Sequence, residues 1–312
     1  MPATVIYGAQ WGDEGKGNIM TAEAQDADVI VRLNGAANAG NTGYHNGEKY
    51  VLHMLPHGIF VPDTLNIISP YVNLDLDALM PELDLPDRFG SNVALDPRTP
   101  IVLPISKLID VAREKSLGKE KVGTTGRGNG PATEDFVARR SVMLGDFLEG
   151  SKAIYEKLCR GRYYEERVAT LKFQDPAREP QSATECVEWC MQFHDRVLPL
   201  IRDTGALVRS AYARKKRVVG FVAHGIMLDV LNGAEPYTTS SMCSPAIFTH
   251  LYGIRPERIV AVLKAYPTRV GEGPFRTEMN EVDSEELRQR VGEFGSTTAR
   301  PRRCGHPDIT TL

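Results

Sequence analysis

The sequence predicts an α/β fold: a single domain of residues 1–312 around a mostly parallel central sheet that carries a P-loop-like phosphate-binding loop. Two observations lead there. Short apolar runs alternate with amphipathic stretches, and the first run ends in a glycine-rich turn that opens a helix. In chain order, residues 4–8 (TVIYG) read as a buried strand, Gly15 to about Ala24 as a helix and 28–33 (DVIVRL) as a second strand. The apolar runs 66–69 (NIIS), 218–222 (VVGFV) and 259–263 (IVAVL) read as further inner strands of the same sheet. Helical periodicity marks 105–115 (ISKLIDVAREK), the long stretch 183–214, and 283–291 (DSEELRQRV), where Ser284 suits the cap and Glu285 and Glu286 the first turn. Gly and Pro concentrate at 35–47, 123–131, 231–236 and 271–274, which therefore read as loops, and long polar loops in a folded domain are usually functional.

Composition narrows the function. With 42% hydrophobic residues over 312 positions the chain can bury a sizeable core, which excludes disorder. Lys plus Arg number 37 against 40 acidic residues, a formal charge of −3, so affinity for a phosphate backbone through a cationic blanket is excluded. No apolar run approaches the roughly 18 residues of a membrane span, and the opening MPATVIYG has no basic region followed by an apolar stretch, so the chain reads as soluble and cytoplasmic. The five cysteines, Cys159, Cys186, Cys190, Cys243 and Cys304, are odd in number and scattered, as free thiols are. Cys186, Cys190 and His194 follow one another at helical-turn spacing; a metal face there is outweighed by a plain core face.

The stretch that carries chemistry is 8–17 (GAQWGDEGKG). Gly12, Gly15 and Gly17 let backbone N–H groups approach an anion, the helix N-terminus favours negative charge, and Lys16 adds a point charge for a polyphosphate. The loop departs from the Walker pattern at two places: Gln10 stands where its first glycine would fall, and Gly17 where a Ser or Thr would hold Mg²⁺. A metal needs another ligand, and Asp13 in the loop is the obvious one. The bland alternative for Asp13 is a helix N-cap.

WGDEGKG after a short strand resembles the adenylosuccinate synthetase family. Further matches follow in the family's order: 38–42 (NAGNT), 51–59 (VLHMLPHGI), 123–131 (GTTGRGNGP), 134–140 (EDFVARR), 237–241 (YTTSS), 264–274 (KAYPTRVGEGP) and 293–303 (EFGSTTARPRR). The resemblance implies an adenylosuccinate synthetase-like fold and a C–N-bond-forming ligase. That ligase would join L-aspartate to the 6-oxo carbon of a purine nucleoside monophosphate through a 6-phosphoryl intermediate, using a nucleoside triphosphate and Mg²⁺. It implies Asp13 as the base that takes the N1 proton and, with the Gly40 carbonyl, as the metal ligand. Gly12, Glu14, Gly15, Lys16, Gly17, Gly40, Asn41, Thr42 and Arg302 would meet the triphosphate. Asn38, Thr125 and Thr239 would hold the 5′-phosphate, together with Arg139 from the second subunit of a homodimer. Val270 and Arg300 would reach the ribose, and Thr297, Thr298, Arg300 and Arg302 the aspartate.

Three departures from the family stand out. Asn41 replaces a histidine, which removes a titratable group. His224 replaces a glutamine near the purine O6, placing an imidazole where the oxyanion develops, so His224 joins Asp13 and Lys16 as a catalytic candidate. The sequence stops at Leu312 without the family's T-K-x-D-type guanine-reading segment, which implies an ATP-type donor. These features resemble a short phage branch that makes N6-succino-2-amino-2′-deoxyadenylate for 2-aminoadenine DNA. The leading expectation is therefore dGMP with ATP or dATP, IMP with GTP being the alternative. A purine-nucleotide-binding regulator without catalysis is the reading from a different class. Neither a nucleic acid nor a membrane is expected as partner.

Overall fold

A computed structural model describes residues 3–295 and 300–308 of the chain. Six strands, β1 (Ala3–Gly8), β2 (Val29–Arg32), β5 (Leu65–Ile68), β6 (Asn92–Leu95), β7 (Val218–Gly225) and β8 (Arg258–Val262), form one parallel sheet in the order β6-β5-β2-β7-β1-β8. β3 (Asn41–His45) and β4 (Glu48–Leu52) make a separate antiparallel hairpin, and β9 (Thr268–Arg269) pairs antiparallel with β10 (Arg303–Cys304). The α/β class with a mostly parallel sheet is thus as expected from the sequence.

Strand alternation explains why both faces of the sheet are covered. Ala3, Val5, Val29, Val31, Val218 and Val222 point to one side, into a core with Val208, Ile247 and Phe248 of the helices Thr204–Ala213 and Ala246–Tyr252. Ile6, Ile30, Val219 and Phe221 point to the other, against Met20 and Ala24 of α1 (Lys16–Ala24). A third core joins Ile68 and Leu95 to the helices α2 (Pro104–Leu117), Ser151–Cys159, Tyr163–Gln174 and Ala183–Met191. Cys186 and Cys190 are fully buried in it while His194 pairs with Asp195 at 3.0 Å, so the spaced Cys/Cys/His set is a core face and a surface residue.

Several local expectations are corrected. The 183–214 stretch is not one helix: it breaks after Met191, restarts briefly at His194–Val197, and the final helix begins at Thr204 under an Asp203 side-chain cap to the Ala206 amide. Pro199, which lacks an N–H, lies in the break, and Ile201 bridges to Leu95 at the sheet edge. The helix Glu281–Val291 is capped by Asn280, which accepts from the Asp283 amide at 2.9 Å, leaving Ser284 buried inside the helix. Half of the 35–47 loop is the β3–β4 hairpin, turned by Asn46 and Gly47 at φ 51° and 82°. Two consecutive positive φ values are what an Asn-Gly hairpin turn supplies. Asp13 does not cap α1; Gly15 holds that position with no side-chain cap. No helix among the described residues is long and apolar enough to cross a membrane.

Candidate active site

The segments that leave the carboxyl ends of β1, β2, β7 and β8 converge on one cavity of about 620 Å³. This is where an open parallel sheet offers its crevice, because neighbouring connections diverge there. Gly12, Asp13, Glu14, Gly15, Lys16 and Gly17 contribute one wall, and Asn38, Gly40, Asn41 and Thr42 the next. Thr125, His224, Thr239, Val270 and Arg302 complete the set predicted from sequence that lines it.

The loop after β1 is organised around a carboxylate. Glu14 folds inward and accepts from the Gln10 and Gly12 amides at 3.1 and 3.0 Å, while buried Lys16 forms a close ion pair with it. The amides and ammonium expected to face a triphosphate are therefore engaged by an internal anion of the same charge type. Both departures from the Walker pattern now have packing reasons. Gln10 clamps the loop to the end of β8, donating to the Lys264 carbonyl at 3.2 Å and accepting from its amide at 3.0 Å. A Cβ at Gly17 would collide with the Thr42 carbonyl, so α1 and β3 can touch only if this residue is glycine.

Asp13, at φ 60°, presents a half-buried carboxylate to the cavity, 2.7 Å from Arg302 Nε. The contact is an ion pair rather than an aligned hydrogen bond. Arg302 also donates to Glu293 at 2.8 Å, and Glu293 receives Lys264 at 2.7 Å and the Tyr266 hydroxyl at 3.0 Å. These cations hold the Glu293 carboxyl below its usual range despite the opposing effect of its burial. Arg300 behaves differently from Arg302: it donates to the carbonyls of Gly123 and Thr124 at 3.1 and 3.0 Å and does not line the cavity. The expected pair of adjacent guanidinium forks is thus split between different sets of partners. Thr297 and Thr298 lie outside the described residues.

Mg²⁺ fits the donor set. Asp13 and Gly40 offer one carboxylate and one main-chain carbonyl on the same cavity, and Mg²⁺ takes one or two such oxygens with the rest from phosphates and water. No cluster of three or more His, Cys, Asp or Glu occurs among the described residues.

His224 sits at the end of β7 with φ 63°, beside the bulge where β7 slips against β1. Both ring nitrogens are buried and have no hydrogen-bond partner among the described residues. Burial, reinforced by the nearby Arg32 and Lys16 charges, pushes the imidazole down to about 3, so it is neutral at physiological pH. Arg32 is itself fully buried, and burial brings its guanidinium down to about 10; it spends its donors on the carbonyls of Asn34, Ala36 and His53, fixing the loop that carries Asn38. At the mouth of β3, the Asn41 carbonyl accepts from buried His57 Nε2 at 3.1 Å, which ties this departure from the family to the α1 side through a His57–Thr21 contact of 2.8 Å.

Other polar groups of the lining are oriented by contacts behind it. Asn38 Oδ1 accepts from the Ala36 amide at 3.2 Å, which turns its amide nitrogen outward. The 122–128 segment is suspended from α2 by carboxylates: Glu114 accepts from the Val122 and Thr124 amides at 3.3 and 3.1 Å, and Asp110 from Gly128 at 2.9 Å. Arg139 is exposed just beyond α3 (Asn129–Val137), outside this cavity and without an ion pair among the described residues. Its neighbour Arg140 is structural, paired with Glu166 at 2.6 Å and with Asp135 at 3.4 Å. Lys264, Glu293, Asn129 and Arg269 escaped the sequence reading. Only KAYPTR and GRGNGP flagged their neighbourhoods, because their roles come from contacts with residues outside their own segments, Lys264 with Gln10 and Glu293, Asn129 with Asn73 and Thr239, and Arg269 with Tyr237.

Residues 5–312 match the family model of adenylosuccinate synthetase. The chain is 40% identical to the adenylosuccinate synthetase of Kineococcus radiotolerans over 99% of its own length and 72% of that protein, and 38% identical to that of Acidothermus cellulolyticus over 100% and 73%. The fully ligated adenylosuccinate synthetase of Plasmodium falciparum superposes with a TM-score of 0.87 at 31% identity, over 99% of this chain and 72% of that one. The cyanophage S-2L succinoaminodeoxyadenylate synthetase bound to dGMP and dATP shares the fold, with a TM-score of 0.67 at 20% identity, over 99% and 79%. With the family model spanning the loops that build the cavity, the chain belongs to the adenylosuccinate synthetase family, ligases that form a C–N bond.

Proposed function

We propose that the protein condenses L-aspartate with the 6-oxo carbon of a purine nucleoside 5′-monophosphate, with IMP as substrate and GTP as phosphoryl donor. The observation that carries this is the placement of Asp13 and His224 in one cavity with both a polyphosphate loop and a separate set of phosphate donors. The relatives at 36 to 40% identity are adenylosuccinate synthetases, which favours IMP over dGMP. Asp13 takes the N1 proton, and O6 forms a bond to the γ-phosphorus as the bond to the β-phosphate oxygen breaks and the nucleoside diphosphate leaves. The amine of aspartate then attacks C6 and inorganic phosphate departs with O6. Neutral His224 donates a hydrogen bond toward O6 as charge develops there, and Lys16 exchanges Glu14 for the triphosphate. Mg²⁺ held by Asp13 and Gly40 would neutralise charge on the transferring phosphoryl group. Aspartate carboxylates draw Arg302 away from Asp13, with Arg300, Thr297 and Thr298 as further aspartate ligands and Val270 at the ribose. Asn38, Thr125 and Thr239 hold the 5′-phosphate, and exposed Arg139 reaches it from the second subunit of a homodimer.

A specific feature favours a second reading, dGMP with ATP or dATP. In that reading the neutral ring of His224 faces C2 rather than O6, and its acceptor nitrogen receives the exocyclic 2-amine, which dGMP has and IMP lacks. Phosphate release and succinyl-nucleotide formation, measured for IMP, dIMP, GMP and dGMP with ATP, dATP or GTP, decide between them. Aspartate-dependent turnover of IMP with GTP is the expected result. Turnover of dGMP with ATP at least ten times better replaces it with the second reading, and phosphate release that ignores aspartate rejects both.

A further inference from the structure

Asn129 opens α3 inside the cavity wall, buried and next to Thr239, and no role has been given to it so far. Its hydrogen bonds fix which way its amide points. Thr133 Oγ1 has one proton, and its donor contacts are the carbonyls of Asn129 at 2.9 Å and Ser240 at 3.3 Å, which can only accept. The Thr133 oxygen therefore accepts from Asn73, which places the amide nitrogen of Asn73 at that contact of 2.7 Å. The same Asn73 nitrogen lies 2.7 Å from Asn129 Oδ1 and donates to it. Asn129 is thereby left with its own nitrogen facing Thr239 Oγ1, at 3.5 Å the longest link of the relay. Thr239 Oγ1 receives this N–H, and no acceptor among the described residues takes its proton, so the hydroxyl proton is available to the cavity that Thr239 lines.

From this we infer that Asn129 is a positioning residue: the Asn73–Asn129–Thr239 relay reserves the Thr239 hydroxyl proton for an acceptor-only ligand oxygen, and so selects a phosphate monoester over the unphosphorylated nucleoside. The inference rests on the proposed function, which places the nucleotide 5′-phosphate at Thr239. Asn38, which also lines the cavity, is polarised in the same sense by the Ala36 amide, so its nitrogen is likewise left as the outward donor. A phosphate dianion accepts and does not donate, which is the match such a pair requires. Asn73 lies outside the cavity lining and touches the relay only, its backbone amide being anchored on the Gly35 carbonyl at 2.9 Å.

Calorimetric binding of IMP, dGMP and their nucleosides to single and double variants tests the relay. Thr239→Val removes the donor and weakens both monophosphates by roughly tenfold or more, the loss of one hydrogen bond to a charged group, while the nucleosides bind as before. Asn129→Asp keeps the contact to Asn73 but turns an acceptor toward Thr239, which captures its proton; the monophosphates weaken to a similar degree. Asn73→Asp cannot donate to Asn129, so the Asn129 amide flips and the same loss follows from a residue outside the cavity. In a Thr239→Val background both aspartate substitutions add less than about twofold, since sites acting through one hydroxyl are not additive. Undiminished losses in that background assign the effect to charge or damage and overturn the relay, as does wild-type monophosphate affinity in both Asn129→Asp and Asn73→Asp. Unaltered monophosphate binding in Thr239→Val overturns the phosphate assignment itself and the relay with it. Thermal melts identify a variant that does not fold, in which case the other aspartate substitution decides.

Discussion

Replacing His224 with glutamine should make the protein less sensitive to acid, by an amount that follows from the burial of the ring. A histidine of ordinary value near 6.5 that is held at about 3 in the native state binds fewer protons folded than unfolded at every pH between those limits. Its neutral form therefore contributes nothing adverse above pH 6.5, and stability is lost as pH falls below 6.5 toward 3. Between pH 7 and pH 5 the unfolded chain gains about one proton that the native ring refuses, worth about 2 kcal/mol at pH 5. That figure barely changes for any native value below about 4, because the ring is then still neutral at pH 5. Two kcal/mol is a large share of the stability of an ordinary domain. Urea unfolding of the wild type and of His224→Gln at pH 7, 6 and 5 supplies the test. Other groups that titrate there, including His57, which burial also holds low, are common to both proteins and cancel in the difference. The variant should lose about 2 kcal/mol less than the wild type on going from pH 7 to pH 5. Parallel losses would show that the imidazole is solvated or ion-paired, and would remove the basis for treating it as a neutral donor to O6.

Asp13→Asn should abolish succinyl-nucleotide formation with only a small fall in melting temperature, because Arg302 loses its ion pair with Asp13 but keeps Glu293; retained turnover would displace Asp13 from the chemistry. If Arg139 crosses to the neighbouring subunit, mixing inactive Asp13→Ala chains with inactive Arg139→Ala chains restores activity, since hybrids contain one site with neither lesion; subunit exchange without recovery counts against the trans arginine. Gly17→Ser restores the Walker residue yet should destabilise the fold by about 1–3 kcal/mol in denaturant unfolding, because its Cβ has no room beside the Thr42 carbonyl, and a neutral result would mean that α1 and β3 separate freely.

Much of the site was legible because its chemistry is local. A glycine-rich loop between a strand and a helix works through backbone groups a few residues apart, so GAQWGDEGKG announces a phosphate loop without reference to the rest of the chain. The apolar runs of β1, β2, β5 and β7 were equally plain, since a strand buried on both faces has few polar positions to hide it; β8 (Arg258–Val262), expected as an inner strand, instead lies at the sheet edge with Ile259 exposed. β6 (Asn92–Leu95) was missed: it is short, lies at the sheet edge and begins with an exposed asparagine. The hairpin of β3 and β4 was missed although its Asn-Gly turn was there to be read.

The sequence by itself determined the class of fold, the glycine-rich loop with Asp13 and Lys16, and several of the segments that line the cavity. Tertiary structure alone decided which charges engage one another. Glu14 holds Lys16, Glu293 and Asp13 hold Arg302, and the carbonyls of Gly123 and Thr124 hold Arg300. It also decided that His224 is neutral and that the Asn129 amide points its nitrogen at Thr239. The physical reason is that ionisation and hydrogen-bond polarity depend on desolvation and on partners brought from distant parts of the chain, and neither is encoded by a residue's immediate neighbours.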